Sequence, residues 1–230
     1  MNKTITTVVI IVVIILAAFF YFTRPVSAPT ESVESVAEKL VPTSQGDVDA
    51  RALDEKLYRV SKSQSQVQFS INEVLRGSPF TAVGRTSEVA GDFLVSNRAV
   101  KVGTMTVNAK TFKTDSTQRD GAIVRFILKS DQPANEFITF KPSQPIALAL
   151  PLAEGKQISA NLSGDLTISG VTKPAIFAVR VQIQNQKLLV TGETIVKRSD
   201  FNLKIPELSF IASVDDEVGI SVSTVAEMIQ

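Results

Sequence analysis

The chain has 230 residues, of which 44% are hydrophobic and 20% charged, and its formal net charge is +1. It is long enough for one good-sized domain with a buried core, and the low net charge argues against nucleic acid as the main partner, because phosphate binding needs a concentrated basic face. Cysteine and histidine are both absent, which excludes disulfides, thiol catalysis, zinc-thiolate sites, Ser-His-Asp triads and nearly all catalytic zinc or non-haem iron sites.

These absences leave little room for catalysis. A Ser-Lys pair or a pair of carboxylates could still act, but the sequence offers no convincing pair. We therefore predict that the protein is not an enzyme and that it uses no cofactor and no metal.

The first predicted element is a membrane-spanning helix. Ile5 to Phe22 carry no charge over eighteen residues, and a helix of this length reaches ~27 Å, close to the ~30 Å of a bilayer core. Lys3 precedes the run, and Arg24 follows it before an acidic stretch, which favours the amino end inside. We predict an uncleaved anchor over residues 1–22 and a single-pass protein whose domain is extracytoplasmic, in a bacterial periplasm or on a cell surface.

Two alternatives to the anchor stay open. Val26-Ser27-Ala28 resembles the cleavage site of a signal peptide, but the apolar run exceeds the usual ~7–15 residues of a signal core, and Pro29 fits poorly just after a cut. The other alternative is a buried core helix, which the lack of a polar face disfavours.

Residues 23–56 are predicted to form a flexible stalk. Scattered Pro, Ser and Thr and a net charge of −3 from Arg24 to Lys56 are typical of a spacer or a plain disordered linker. Apolar residues at helical spacing predict a short helix over Glu31 to Val41, which is too short to be stable alone.

Residues 57–230 have the pattern of an all-β domain. Runs of alternating or continuous apolar residues predict strands around Val67–Ile71, Val89–Val95, Val102–Ala109, Phe137–Phe140, Ile146–Leu150, Ile158–Ile168, Leu188–Val196 and Val218–Val222. About eight to ten strands with short connections, some of them long, favour a closed antiparallel barrel of about eight strands.

The clearest hairpin runs from Gly164 to Arg180. Apolar and polar residues alternate on both sides of a Gly170–Pro174 break, which predicts two antiparallel strands joined by a turn at that break. One helix is predicted elsewhere, over Gln118 to Ser130, with Asp115 and Ser116 as capping candidates. A lone amphipathic helix in such a domain must lie against a barrel face or mouth to bury its apolar stripe.

Seven segments then occur in a characteristic order: Tyr58–Val60 with Ser65–Phe69, Val83-Gly84 with Val89–Gly91, Thr111–Asp115 with Arg119-Asp120, Phe137–Phe140, Gly164–Ile168 with Gly170–Pro174, Arg198–Phe201, and Asp216–Val218. Together they resemble the YceI-like family, a lipocalin-like barrel. Two places depart from its pattern. Gly121–Ile123 stand where many members carry a His, and Asn202 stands where Gly is usual after the Arg-Ser-Asp-Phe segment.

The resemblance implies a barrel that holds an isoprenoid or other lipid-like amphiphile without covalent chemistry. The inward apolar residues expected to line such a cavity are Phe69, Ile71, Phe93, Met105, Val107, Phe126, Ile127, Phe140, Leu166 and Phe177. Arg119 and Asp120 are candidates for head-group contacts at the mouth.

For each of these residues a plain structural role is the alternative: the wall residues could simply be core, and Arg119 and Asp120 could pin their own helix. Arg198 and Asp200 are expected to form a structural salt link, and Asp215–Glu217 a solvated turn rather than a calcium site. A second hypothesis is a structural or partner-binding domain whose barrel is filled by its own side chains. The sequence leaves open whether the protein forms a homodimer.

Overall fold

The computed structural model describes residues 25–40, 54–206 and 211–229, and these fold into antiparallel β-structure with few helices. Within those residues the strands are β1 Lys56–Val60, β2 Gln66–Leu75, β3 Ser78–Thr86, β4 Val89–Ala90, β5 Asp92–Val95, β6 Ala99–Val102, β7 Met105–Asn108, β8 Phe137–Pro142, β9 Ile146–Ala147, β10 Gln157–Ile168, β11 Val171–Gln184, β12 Lys187–Lys197 and β13 Ile211–Met228. The predicted all-β antiparallel class is confirmed.

The predicted number of about eight strands is too low. Val89–Val95 was expected to be one strand with a bend at Gly91, but the Gly91 carbonyl accepts a hydrogen bond from the backbone of Val60, and the run is divided into β4 and β5. The short strand β6 pairs over only a few residues on each side, so its periodicity is too brief to be detected from sequence. The strand predicted over Ile146–Leu150 is present only as β9, over Ile146–Ala147.

The strands form one sheet that curls round. Its order is β4-β7-β8-β10-β11-β12-β13-β1-β5-β6-β9, with β2 on β13 and β3 on β2. Because β3 ends at Thr86 and β4 begins at Val89, the chain itself connects the β13-β2-β3 branch to the edge strand β4, which pairs with β7. Among the described strands β3 pairs only with β2, so the sheet is curled and is not the closed barrel that was predicted. The apolar inner faces therefore converge on a shared interior.

The two ends of this curl differ. At the closed end the side chains of Tyr58, Phe93, Val100, Leu188 and Ala226 are packed and almost fully buried. The open end carries the β2–β3 turn, the β10–β11 turn and the helical segment 117–127.

The β10–β11 hairpin is confirmed, but its turn is tighter than predicted. Ser169 and Gly170 alone connect the strands, with φ of 49° and 75°, and such a pair of positive angles suits a two-residue hairpin turn. Lys173 and Pro174, expected in the turn, are part of β11. Pro174 is tolerated there because that part of β11 pairs only with β10.

The predicted helix over Gln118 to Ser130 is present in a modified form. Helix α2 covers Thr117–Ala122, and Ser116 caps it by accepting a hydrogen bond from the backbone N–H of Arg119. Ile123–Ile127 continue as a π-helical turn, a geometry that is frequent at functional sites.

Residues 25–40, which we call the strap, lie along the outside of the sheet. Helix α1 (Val33–Leu40) packs on β4 and β7. Val107 of β7 lines the interior, so its neighbours Thr106 and Asn108 face outward, yet they are only 0% and 1% exposed. Residues 25–40 of the predicted stalk are thus packed on the domain, and this packing supplies the stability that a short helix lacks alone.

The predicted anchor over residues 5–22 lies outside the described residues and stays a prediction. Within the part of the chain that the structure describes, every helix is too short or too polar to span a bilayer.

Candidate ligand-binding cavity

The interior of the curled sheet contains a cavity of about 360 Å³, within the ~300–1,000 Å³ typical of small-molecule sites. Its walls are the inner faces of the long strands, and the helical segment 117–127 contributes Ala122, Ile123 and Ile127. The alternation predicted for β2 and β10 produces this arrangement, because every second side chain of a strand points to the same face.

Most residues predicted for the wall line this cavity. They are Phe69, Ile71, Phe93, Met105, Val107, Ile127, Phe140, Leu166 and Phe177. Phe126 is partly buried but is not among the lining residues. Its prediction rested on regular helical spacing, and the π-helical turn over Ile123–Ile127 changes that spacing.

Aromatic rings organise the wall in two pairs. Phe69 meets Phe112 edge to face at 5.3 Å between ring centroids, and Phe140 meets Phe177 in the same way at 4.8 Å. Such geometry is favourable because the positive edge of one ring meets the negative face of the other. Phe112 was not predicted, since it follows β7 in a segment without clear alternation.

Two glycines make room for these rings. Gly84 faces Phe69 across the β2–β3 pair, and Gly164 of β10 lies against the Phe140 ring. A Cβ at position 164 would lie 2.5 Å from the backbone carbonyl oxygen of Lys141 and 2.7 Å from Cζ of Phe140, so glycine is required for the close approach. Both glycines belong to the segments that carry the family resemblance, but only the structure shows that they make room for aromatic rings.

Other lining residues were missed for a common reason. Phe201, Leu203, Ile205 and Pro206 line the cavity from the segment after β12. They lie in a short helical turn and the irregular backbone after it, where the period of a strand does not predict which side chains face inward.

Most of the polar lining groups lie at the open end; elsewhere the lining includes Gln68 and Thr224, whose hydroxyl donates a hydrogen bond to the Val190 carbonyl. Glu73, Ser116, Gln118, Arg119 and Arg198 all contribute to the cavity at the open end, and Gln118 is exposed to solvent. At the closed end the lining residues, such as Val89 and Phe93, are almost fully buried. The cavity is therefore mostly apolar within and meets solvent through a polar rim.

Arg119 is the central polar group of the rim. Its Nη2 lies 3.1 Å from Oε1 of Glu73, its Nη1 pairs with Asp115, and its guanidinium carbon is 5.1 Å from the centroid of the Phe80 ring. This cation–π contact and the ion pairs fix the side chain beside the opening.

Asp120, the other predicted head-group contact, is not among the cavity-lining residues. It is buried, and its Oδ1 accepts hydrogen bonds from the backbone N–H of Thr114 at 2.7 Å and from Oγ1 of Thr114 at 2.8 Å. This geometry matches the alternative role of pinning its own helix.

Arg198 also belongs to the rim, and its partners differ from those expected. It donates hydrogen bonds to the carbonyls of Asp215 and Leu203, and its nearest carboxylate is that of Asp216, at 3.9 Å, rather than Asp200. Hydrogen bonds from the side chain and backbone of Ser199 lower the pKa of Asp216.

The acidic run Asp215–Glu217 lies inside β13, at a register shift between Val214 and Val218. The expected turn is therefore a bulge within a strand. Among the described residues no cluster of three or more acidic side chains is placed to hold a metal ion.

Fold and cavity together define a class: an antiparallel β-domain with a ligand-sized apolar interior. The family model of the YceI-like domain matches residues 58–226, well over half of the chain. The chain therefore belongs to the YceI-like family.

The solved structures that are similar to this chain include two that are covered over nearly their whole length. One is a polyisoprenoid binding domain from Saccharophagus degradans implicated in plant cell wall breakdown, with a TM-score of 0.62, 16% identity, and coverage of 75% of this chain and 98% of that chain. The other is Burkholderia cenocepacia BcnA, with a TM-score of 0.54, 18% identity, and coverage of 72% and 98%. At these identities the likeness establishes the fold. No match was found among curated proteins.

Proposed function

We propose that the protein is a membrane-anchored binding protein that holds an isoprenoid or other long-chain lipid-like molecule in the cavity. The observation that carries the proposal is the cavity of about 360 Å³ with apolar walls and a polar rim at one end. An amphiphile matches this distribution, since its chain is buried in the walls and its head group stays at the rim. The polyisoprenoid-binding neighbour from Saccharophagus degradans supports the same ligand class.

The energetics of this function are those of burial. Removing a hydrocarbon chain from water contributes ~0.8 kcal/mol per CH₂. The proposal includes no covalent step, and it assigns Ile5–Phe22 as the anchor, with the domain on the extracytoplasmic side in a bacterial periplasm or on a cell surface. The uncharged run and the position of Lys3 support this assignment.

The alternative hypothesis is a domain filled by its own side chains, which would pack to interior density and leave no cavity of ligand size. The described residues instead enclose a space as large as typical ligand sites. The alternative would be supported if none of the proteins in the following experiment bound the probe.

The experiment introduces the same change, alanine to tryptophan, once at a position that lines the cavity and once at a position on the outer face of the sheet. Ala82 lines the cavity and is 2% exposed, whereas Ala178 is exposed on the outer face of β11. Full-length wild type, Ala82→Trp and Ala178→Trp would be purified and analysed by native mass spectrometry for bound lipid, and each would be tested for uptake of a fluorescent fatty acid.

We expect wild type and Ala178→Trp to carry lipid and take up the probe, and Ala82→Trp to do neither. Thermal unfolding checks that each variant is folded, and Ala82→Leu provides a milder block. If all the proteins bind probe equally, or none does, the cavity is not the binding site.

A further inference from the structure

The strap is held to the sheet by a buried polar cluster that plays no part in the cavity. The carboxylate of Glu136, which is 0% exposed, accepts hydrogen bonds from the backbone N–H of Thr30 at 2.8 Å and from its Oγ1 at 2.5 Å. Lys110 Nζ lies 3.1 Å from the same carboxylate and 3.4 Å from the carbonyl of Ala28. Asn108 donates a further bond at 3.0 Å.

The strap completes this cluster. Without Thr30 and Ala28, the Glu136 carboxylate would lose two donors and the Lys110 ammonium one acceptor. Buried charges are costly unless they are paired and hydrogen-bonded. The cluster therefore favours the docked strap over a free one.

A second set of contacts fixes the other end of the strap. Glu34 lies 3.3 Å from Nζ of Lys62, and Glu38 lies 3.8 Å from Nη1 of Arg59. These are surface pairs and contribute little individually. They nevertheless place the end of helix α1 beside β1.

These contacts define the direction in which the strap runs. Glu136 directly precedes β8, and Thr139 of β8 pairs with Thr167, close to the β10–β11 turn at the open end. Arg59 lies in β1, which pairs with Glu227 near the carboxyl terminus of β13 at the closed end. The strap thus runs from the open end, where Ala28 and Thr30 lie, towards the closed end, where helix α1 finishes.

We propose that the strap orients the cavity so that its open end faces the bilayer. This inference rests on the anchor in the proposed function. Residues 23–27 separate the predicted span from Ala28, and so few residues reach at most about 20 Å. A docked strap therefore keeps the rim close to the surface from which a lipid chain would be taken, whereas a free stalk would allow every orientation.

The absence of cysteine from the chain allows a direct test with single labels. Ser63 precedes β2 near the closed end, Ser78 follows the β2–β3 turn at the open end, and both are exposed. The two sites receive the same Ser→Cys change and flank the two opposite ends of β2. A bimane label would be attached to each in the full-length protein, reconstituted into phosphatidylcholine–phosphatidylglycerol vesicles that contain a lipid with a nitroxide quencher in its head-group region.

We expect the label at Ser78→Cys to be quenched several-fold more than the label at Ser63→Cys. In a second pair of proteins that also carry Thr30→Ala and Glu136→Gln, the two labels should become similar, because the strap is released. Equal quenching in the otherwise native pair, or stronger quenching at Ser63→Cys, would overturn the inference.

Two measurements on the same samples separate this inference from the proposed function. Flotation with the vesicles reports the anchor, and native mass spectrometry reports bound lipid. Flotation with equal quenching overturns the orientation alone. A protein that fails to float removes the anchor from the proposed function, and the orientation with it.

Discussion

Phe69 and Gly84 face each other across the β2–β3 pair, and the Phe69 ring occupies the space where a side chain at position 84 would begin. Gly84→Ala should therefore force the ring to move. We expect the free energy of unfolding to fall by about 1–3 kcal/mol, the usual range for overpacking a core. Urea unfolding measures this change.

The matched experiment repeats Gly84→Ala in a Phe69→Leu background. A leucine is smaller than the ring, so the cost of the added methyl should shrink there. An equal cost in both backgrounds would show that the clash with Phe69 is not the cause.

The buried ion pair between Lys110 and Glu136 gives a second prediction. Lys110→Met leaves the Glu136 carboxylate without its cationic partner, and breaking a buried pair in this way costs about 3–5 kcal/mol. Lys62→Met, which removes the exposed pairs with Glu34 and Glu88, should cost less than ~1 kcal/mol. Similar losses for the two variants in urea unfolding would contradict the role given to the cluster.

A third prediction concerns pH. Burial by itself raises the pKa of Glu136, but hydrogen bonds from Thr30, Lys110 and Asn108 outweigh it and hold this pKa below its usual value. An unfolded Glu has a pKa of about 4.3. The contribution of the ionised group to stability is therefore fully present above that pH and is lost as pH falls through the lower folded value.

We expect the strap to loosen below about pH 4. Hydrogen exchange of the amides in Val33–Leu40, measured between pH 3 and 7 and corrected for intrinsic rates, reports this loosening. Glu136→Gln has no carboxyl at this position to titrate, so its strap should show weaker protection at neutral pH and a flatter pH dependence. An unchanged pH profile in Glu136→Gln would assign the effect to another group.

The fourth prediction concerns Asn202, which has φ of 57° and ends the helical turn after β12. Glycine and asparagine tolerate this left-handed conformation, whereas a β-branched residue does not. Asn202→Gly should change stability by less than ~0.5 kcal/mol, and Asn202→Val should cost roughly 1–2 kcal/mol. If thermal unfolding showed equal effects, backbone conformation would not be what selects the residue here.

Much of the fold could be predicted because its long strands have one buried face. In β10 and β2, alternation alone identifies Leu166 and Phe69 as inward, and Ser116 is a cap by its chemistry and position. The π-helical turn could not be predicted, since Ile123–Ile127 carry the same apolar spacing as an ordinary helix. Phe126 was misplaced for that reason.

The docking of the strap could not be predicted from the sequence either. The spacing of its apolar residues predicts a helix with one apolar face, but nothing in that pattern says which surface covers it. The receiving surface is equally hard to recognise. Thr106, Asn108, Lys110 and Glu136 are residue types that are normally exposed, and only their neighbours in space explain their burial.

The helical segment 117–127 is attached at both of its ends. Near its start Arg119 is paired with Glu73 of β2, and just beyond its end the Leu128 carbonyl accepts a hydrogen bond of 2.7 Å from Oγ of Ser169 in the β10–β11 turn. The segment therefore joins β2 to the β10–β11 turn across the open end. Any widening of the entrance at this segment requires breaking at least one of these two contacts.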